Sequence, residues 1–467
     1  MKRALKNFLS LMAGDVGSRL IGFVATVYLA RALEASAFGV VNIGLSVFGY
    51  LFLVANPGIQ VLEIRNAAAV QGADGRRVQA IVSLRLMLAL CLTFVAAVVA
   101  LALRVSPLTR DVTLLYCLAL IPLSFSLDWF FQGKEAFAIL SAARIANALV
   151  YVAVVVAFVH TPENIAWVPI GFALGNLVAA LPLLYEYSRR YGSPRLIWAP
   201  DEWKGILAVS APVGLATFLA QSAMNLPPIV IGWLVSNADA GTFSAALKVV
   251  VVILMIDRLL NALLLPAITR YFAQRRDDVA FFVAAAVKFL LILSVPLTLM
   301  GILFAPFMIV TIFGTEYAGA VRVLQILMGF FFFTLLNSIF VCSLIAAGKE
   351  KEYTFALNVG SAVLVVAIVI GTMLAGVRGA AAGVVVGELC TMVLMMRAAH
   401  DVIPLPLKSM LIRPAVAAAG MAACAFIVSQ HHTVVQALLS LIVFGALVVV
   451  LKVVGAEEVH FLRERVV

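Results

Sequence analysis

The stretch LMLALCLTFVAAVVALAL, from Leu86 to Leu103, decides the fold. It carries no charge, no glycine and no proline, and it has about the length a helix needs to cross ~30 Å of hydrocarbon. In lipid every backbone N–H and C=O must find an internal partner, which leaves helices or closed barrels. A barrel strand alternates apolar and polar residues, and this stretch does not. The rest of the chain has the same character. Of 467 residues, 64% are hydrophobic and 12% charged, with mean hydropathy +1.11, where soluble domains carry about 25% charged residues. The apolar surplus must face lipid, so an all-α polytopic membrane protein is expected.

Apolar runs of spanning length, cut at charged or Gly/Pro-rich breaks, predict fourteen spans. They are 9–31, 39–62, 82–103, 112–132, 137–160, 165–187, 205–234, 241–267, 280–304, 320–346, 352–373, 379–398, 411–430 and 434–454. Phe281 to Gly314 is too long for one span and too short for two, which puts Pro306 to Phe313 at the membrane interface. Lys2, Arg3 and Lys6, an apolar run and then Ala30–Arg31–Ala32 imitate a signal peptide. Asp15 and Arg19 interrupt that run and further spans follow at once, so it reads as an uncleaved first span.

With the N-terminus inside, the cytoplasmic segments hold 24 Lys and Arg, four of them around Arg76–Arg77. The opposite side holds five: Arg31, Arg104, Arg110, Arg322 and Arg378. The positive-inside rule then puts both termini in the cytoplasm. The formal charge of +10 is therefore a topology signal, and no nucleic-acid partner is expected.

The chain also repeats itself. Gly133–Lys134–Glu135 recurs as Gly348–Lys349–Glu350, 215 residues later; Gly171-x3-Gly175–Asn176 recurs as Gly383-x3-Gly387–Glu388, 212 later; Tyr28…Phe38 aligns with Trp233…Phe243, 205 later. Three matches in one order at similar offsets predict two copies of a six-helix unit. The expected division is 1–190 and 191–400 for two pseudo-symmetric lobes, with 401–467 holding spans 13 and 14 and a cytoplasmic tail. Six is even, so both copies enter from the same side, a parallel repeat about an axis along the membrane normal. Two such bundles enclose a cavity that can open to either side, an architecture for transport.

Ionisable residues inside spans are costly and mark candidate sites. Asp15 and Arg19 share one face of the first span with Gly22 and Thr26. They either neutralise each other or line the cavity, with Arg19 offering a cation to an anionic substrate. In the seventh span Thr217, Gln221 and Asn225 form a polar stripe at steps of four, and Pro227–Pro228 are expected to break the helix. The eighth span holds Lys248, Asp257 and Arg258; on one continuous helix the two cations sit about 80° apart and ~15 Å apart in height. Arg258, like Lys288, is placed to snorkel to the interface, whereas Lys248 lies deeper. Glu388, in the middle of span 12, is either a protonated structural carboxyl or a carrier of a coupling H⁺ or Na⁺, and Asp257 is its candidate companion. Asn147, Asn176 and Asn337 are further interior polar groups, read first as packing.

No GxSxG, GxxxxGK[ST] or HExxH motif is present, so no enzyme and no bound cofactor is expected. Cys91, Cys117, Cys342, Cys390 and Cys424 lie inside apolar stretches and read as small buried hydrophobes. The five histidines are scattered, with His431–His432 in the last external turn, and no metal site is expected.

Leu29–Ala30–Arg31–Ala32–Leu33 followed by Phe38–Gly39 resembles the first external turn of polysaccharide-export flippases of the Wzx type. Asp128–Trp129–Phe130–Phe131–Gln132–Gly133 resembles their fourth-span ending. Phe313–Gly314-x2-Tyr317, Ala347–Gly348–Lys349 and Gly379–Ala380–Ala381 fit the same family. The resemblance implies the multidrug/oligosaccharidyl-lipid/polysaccharide (MOP) flippase superfamily, with two six-helix lobes in a V. It also implies a bacterial inner membrane and a lipid-linked oligosaccharide substrate on undecaprenyl pyrophosphate, turned from the cytoplasmic to the periplasmic leaflet. The partners implied are membrane lipids and the polysaccharide polymerase and chain-length machinery. On this resemblance Arg19 and Lys248 would meet the pyrophosphate. A peptidoglycan-precursor flippase, also of fourteen spans, and a cation-coupled multidrug exporter of the same fold are the alternatives, with a non-transporting scaffold for a polysaccharide synthase as a third class.

Overall fold

The computed structural model describes residues 2–69, 74–102, 105–274, 278–403, 407–430 and 433–453; for 2–13, 15 and 407–410 it describes the backbone alone. The described residues form helices and short connections without a strand. His431–His432 lie outside them.

The chain divides into two compact units, Met1–Ser244 and Ala245–Val467. The first contains α1 (Lys2–Ala55), α2 (Ile59–Ala69), α3 (Gly75–Ala102), α4 (Pro107–Leu118), α5 (Leu120–Ser124), α6 (Asp128–Gly133), α7 (Phe137–Phe158), α8 (Trp167–Tyr191), α9 (Pro200–Ala220) and α10 (Ser222–Leu234), and the start of α11 (Asn237–Ile253). The second continues with α12 (Met255–Gln274), α13 (Val279–Leu303), α14 (Ala305–Phe313), α15 (Ala320–Ala346), α16 (Glu350–Val402), α17 (Leu407–Ile427) and α18 (Thr433–Val450).

Ten helical segments among the described residues are long and apolar enough to cross a membrane, with two shorter apolar helices besides. Length reconciles these with fourteen spans. A straight 54-residue α1 would reach about 80 Å, far beyond ~30 Å of hydrocarbon. It reverses at Glu34, whose φ of 61° and ψ of 171° are non-helical. The 53-residue α16 reverses at Ala375 and Gly376 (φ 56°). α1 and α16 thus supply two spans each. One span comes from α4–α6 together, one from α9–α10 and one from α11–α12, and one each from α3, α7, α8, α13, α15, α17 and α18.

The two reversals are packed by small residues. Gly39 abuts the backbone of Asn237, and Gly241 that of Ala35, where no Cβ would fit. Beyond the bend in α16, Gly379, Gly383 and Gly387 lie against Gly371, Ala367 and Leu364 of its first half. The equivalent Gly171 and Gly175 of α8 lie against Val154 and Asn147 of α7. Without a hydrophobic force between helices in lipid, such small-residue contacts are what lets spans adhere. In the second unit α15 is the hub: it packs on α16, α13 and α12 and buries a face from Ala320 to Leu344. The pair α17–α18 rests on α13 through Ala417, Met421 and Phe444.

The structure corrects several expectations. The fourth span is three short helices, because Pro122 lacks an N–H and the chain turns at Ala119 and Phe125. Its freed carbonyls are met by Arg85, which is 5% exposed and donates to Ser126 O and Leu123 O at 2.8 Å each. Arg85, inside the third expected span and one of the four cations grouped around Arg76–Arg77 in the cytoplasmic count, is therefore a buried span charge. The seventh span breaks at Gln221, not at Pro227–Pro228, which continue inside α10. Phe281 to Gly314 turns off at Phe304 into the separate helix α14, which holds Pro306 to Phe313. Cys91 is exposed, while Cys117 and Cys342 are buried.

The repeat survives with an altered register. Glu135 (φ 54°) ends α6, with Glu135 N donating to Gln132 O at 3.1 Å and Ala136 N to Phe131 O at 2.9 Å. Gly348 (φ 69°) ends α15 with the same pair of bonds, Gly348 N to Ile345 O and Lys349 N to Leu344 O. This is one Schellman cap in two copies, and it equates Glu135 with Gly348, not Gly133 with Gly348. The structural offset is 213, nearer the 212 of the Gly-x3-Gly match.

Candidate functional site

In the first unit the charged face of α1 begins at Asp15, whose side chain lies outside the described residues. Arg19 is half-buried. One turn on, a Cβ added at Gly22 would meet nothing within 4 Å, but Leu29, two turns further along the same face, is buried, and the exposed positions of this stretch, Leu20 and Val24, lie on the opposite side of the helix. Thr26 Oγ1 donates to Gly22 O at 3.0 Å and so turns back on its own helix.

The stripe expected on the seventh span is cut where the helix is cut. Thr217 Oγ1 donates to Val213 O at 2.9 Å. Gln221 is exposed at the break between α9 and α10, and Asn225 is half-buried with its amide packed on Gly49 of α1. Asn147 Nδ2 donates to Asn176 Oδ1 at 3.0 Å, and Asn176 Nδ2 to Phe172 O at 2.8 Å. That pair is a closed link between α7 and α8, the packing role expected of it.

In the second unit Lys248 is half-buried on α11 between buried Leu247 and Val249. Among the described residues its ammonium has no hydrogen-bond or ion-pair partner. Lys248 and Arg258 do not share one continuous helix: it is interrupted at Leu254, where Asp257 N bonds to Leu254 O at 3.1 Å. Arg258 is exposed, as a snorkelling side chain would be.

The two acids are brought to one wall. Ser338 Oγ of α15 donates to Asp257 Oδ1. Asn261, one turn along α12, donates through Nδ2 to Asp257 Oδ2 at 3.0 Å and to Ser338 Oγ at 3.1 Å, and accepts from Cys342 Sγ at 3.2 Å. The next residue of α15, Asn337, donates to Glu388 Oε1 at 3.3 Å, and its own Oδ1 is buried without a partner. Asp257 and Glu388 therefore sit on successive residues of one helix, flanked by hydroxyl and amide oxygens, one of them unsatisfied. Such an all-oxygen set is what H⁺ or a hard cation such as Na⁺ would use. Sequence reasoning missed Asn261, Ser338 and Cys342. The only local signals for them are Asp257-x3-Asn261 and Ser338-x3-Cys342, each one helical turn apart. Among the described residues no three His, Cys, Asp or Glu gather to hold a metal.

A family model described as polysaccharide biosynthesis protein matches residues 4–272. Among solved structures the chain is similar to a lipid II flippase, MurJ, in an inward closed conformation, with TM-score 0.77 and 12% identity over 95% of this chain and 98% of that one. It is similar to an inward-facing multidrug resistance transporter of the MATE family, in the MOP superfamily, with TM-score 0.67 and 14% identity over 83% and 94%. A MOP superfamily transporter from Pyrococcus furiosus aligns with TM-score 0.55 and 14% identity over 85% and 94%. No curated protein sequence matches. At these identities the structural likenesses establish the fold, that of MOP flippases and transporters.

Proposed function

We propose, on the premise that the chain belongs to the polysaccharide biosynthesis protein family, that it is a flippase for undecaprenyl-pyrophosphate-linked oligosaccharides. It would turn them from the cytoplasmic to the periplasmic leaflet of a bacterial inner membrane, both of its termini being cytoplasmic, and would hand them to a polymerase and its chain-length machinery. The family match is the observation that carries this reading. The fold supports transport in preference to catalysis.

Within that reading Lys248 is the principal anion-meeting group. A cation inside a span is stable only where water or an anion reaches it, and Lys248 has neither carboxylate nor carbonyl partner among the described residues. Arg19, half-buried on α1, is the second cation of this reading, with Asp15, Gln221 and Asn225 as further polar groups and Arg258 as an outlying cation. Asp257 and Glu388, with Asn337 and Ser338, are assigned to coupling by H⁺ or Na⁺. The coverage of the lipid II flippase likeness, 95% of this chain against 83% for the MATE transporter, supports a lipid-linked substrate over a drug and keeps a peptidoglycan precursor as the second reading.

Lys248→Ala and Arg19→Ala are each expected to reduce surface-polymer export by about tenfold or more, the loss of one charge-assisted contact worth ~1.5–3 kcal/mol, at unchanged membrane abundance. Wild-type export in both variants would contradict the assignment.

A further inference from the structure

A second feature lies away from these groups, in a cavity of about 830 Å³ enclosed by α2, the start of α3 and the first turns of α9. Its lining is divided. Leu62, Ile206 and Val209 form an apolar wall, and a charged rim surrounds them. Most of the rim is internally paired. Arg77 makes a fork with Glu63, Nη2 to Oε1 at 2.6 Å and Nε to Oε2 at 2.9 Å, and Glu63 is 3% exposed. Arg76 Nε meets Glu202 Oε1 at 2.6 Å. Asp74 Oδ1 accepts from Arg77 N at 3.1 Å and is occupied at the start of α3.

Arg65 remains. It lines the cavity and has no hydrogen-bond or ion-pair partner among the described residues, and the neighbouring sequence Val70–Gln71–Gly72–Ala73 contains no acid. A second polar group is also unused: Ser210, 0% exposed, lines the cavity with an Oγ that has no partner.

The spans read from the sequence end at 62 and begin again at 205, so the apolar wall belongs to the hydrocarbon edge and the charged rim to the headgroup zone. A ligand matching both halves is an amphiphile with an anionic head. A guanidinium presents paired donors to phosphate oxygens, and basic pockets between spans on the cytoplasmic side suit anionic lipid headgroups. A soluble anion would leave the apolar wall unused. We propose that this cleft is a binding site for an anionic membrane phospholipid, with its phosphate on Arg65, an ester oxygen on Ser210 and an acyl chain along Leu62, Ile206 and Val209. The bound lipid would join α2 to α9, the helix that opens the second sequence copy.

Native mass spectrometry of the full chain, purified in detergent and titrated with phosphatidylglycerol or phosphatidylcholine, tests this. The wild type is expected to prefer phosphatidylglycerol roughly fivefold, the effect of one basic residue near an anionic surface. Arg65→Gln should bring the preference to near unity. Ser210→Ala, which changes no charge, should weaken the phosphatidylglycerol adduct, and Arg189→Ala, outside the cavity, should leave it as in the wild type. Arg65 is exposed, so its replacement leaves the packing of α2 in place. Equal binding of the two lipids by the wild type, or an undiminished preference in Arg65→Gln, would overturn the proposal. Displacement of phosphatidylglycerol by millimolar inorganic pyrophosphate would make this a soluble-anion site and also overturn it.

Discussion

An ammonium group on a membrane helix, such as that of Lys248, costs a few kcal/mol by insertion scales unless it faces water, protein or an anion. Its depth was legible in the sequence, because it stands alone in an apolar run. The surroundings of Asp257 and Glu388 were not. Their shared wall on α15 arises from hydrogen bonds between residues 51 to 81 positions apart, and each polar group there reads locally as an ordinary interhelical hydrogen bond. Asp257→Asn and Glu388→Gln keep shape and remove charge. If the pair couples a cation, transport by either variant should fall about tenfold, the equivalent of ~1.4 kcal/mol of cation affinity, and its response to an imposed H⁺ or Na⁺ gradient should vanish. Gradient-dependent transport at wild-type rates in both variants would assign these acids to structure alone.

At the scale of elements, hydropathy located the spans because lipid allows few solutions to the backbone hydrogen-bond problem. It did not locate the breaks within them. Pro227–Pro228 drew attention as a breaker, yet the interruption falls at Gln221. The fourth span, read as one helix, is three, and the arginine that makes this tolerable comes from another element. Arg85→Leu orphans the carbonyl of Ser126, at about 1–3 kcal/mol, and leaves Leu123 O with Ser126 N alone, at 3.1 Å. The expected result is a clear drop in the thermal unfolding temperature of the purified protein and lower membrane abundance. Arg85→Lys, without the two-pronged donor, should recover only part of the loss. An unchanged melting profile for Arg85→Leu would mean that the broken span satisfies its carbonyls otherwise. The caps at Glu135 and Gly348 teach a related lesson. The duplicated Gly–Lys–Glu strings are displaced by two residues from the duplicated geometry, because a Schellman cap needs a positive φ and not a particular triplet.

For the whole molecule, the family match and the fold of MOP flippases and transporters support a flippase or transporter, and the proposed reading adds alternating exposure of its cargo. The cargo class of that proposal comes from short motifs of family resemblance, since recognition of sugars by scattered polar groups leaves no linear pattern. The family match supports the polysaccharide reading, and the proposal gives Lys248, without a partner among the described residues, the pyrophosphate. These meet in one observable. In cells depleted of the protein, the leaflet distribution of undecaprenyl-pyrophosphate-linked oligosaccharide should shift, with the intermediate accumulating on the cytoplasmic face and returning to the periplasmic face when the chain is restored. An unchanged distribution on depletion, accompanied by reduced efflux of a cationic dye, would contradict the flippase account and identify a drug exporter instead.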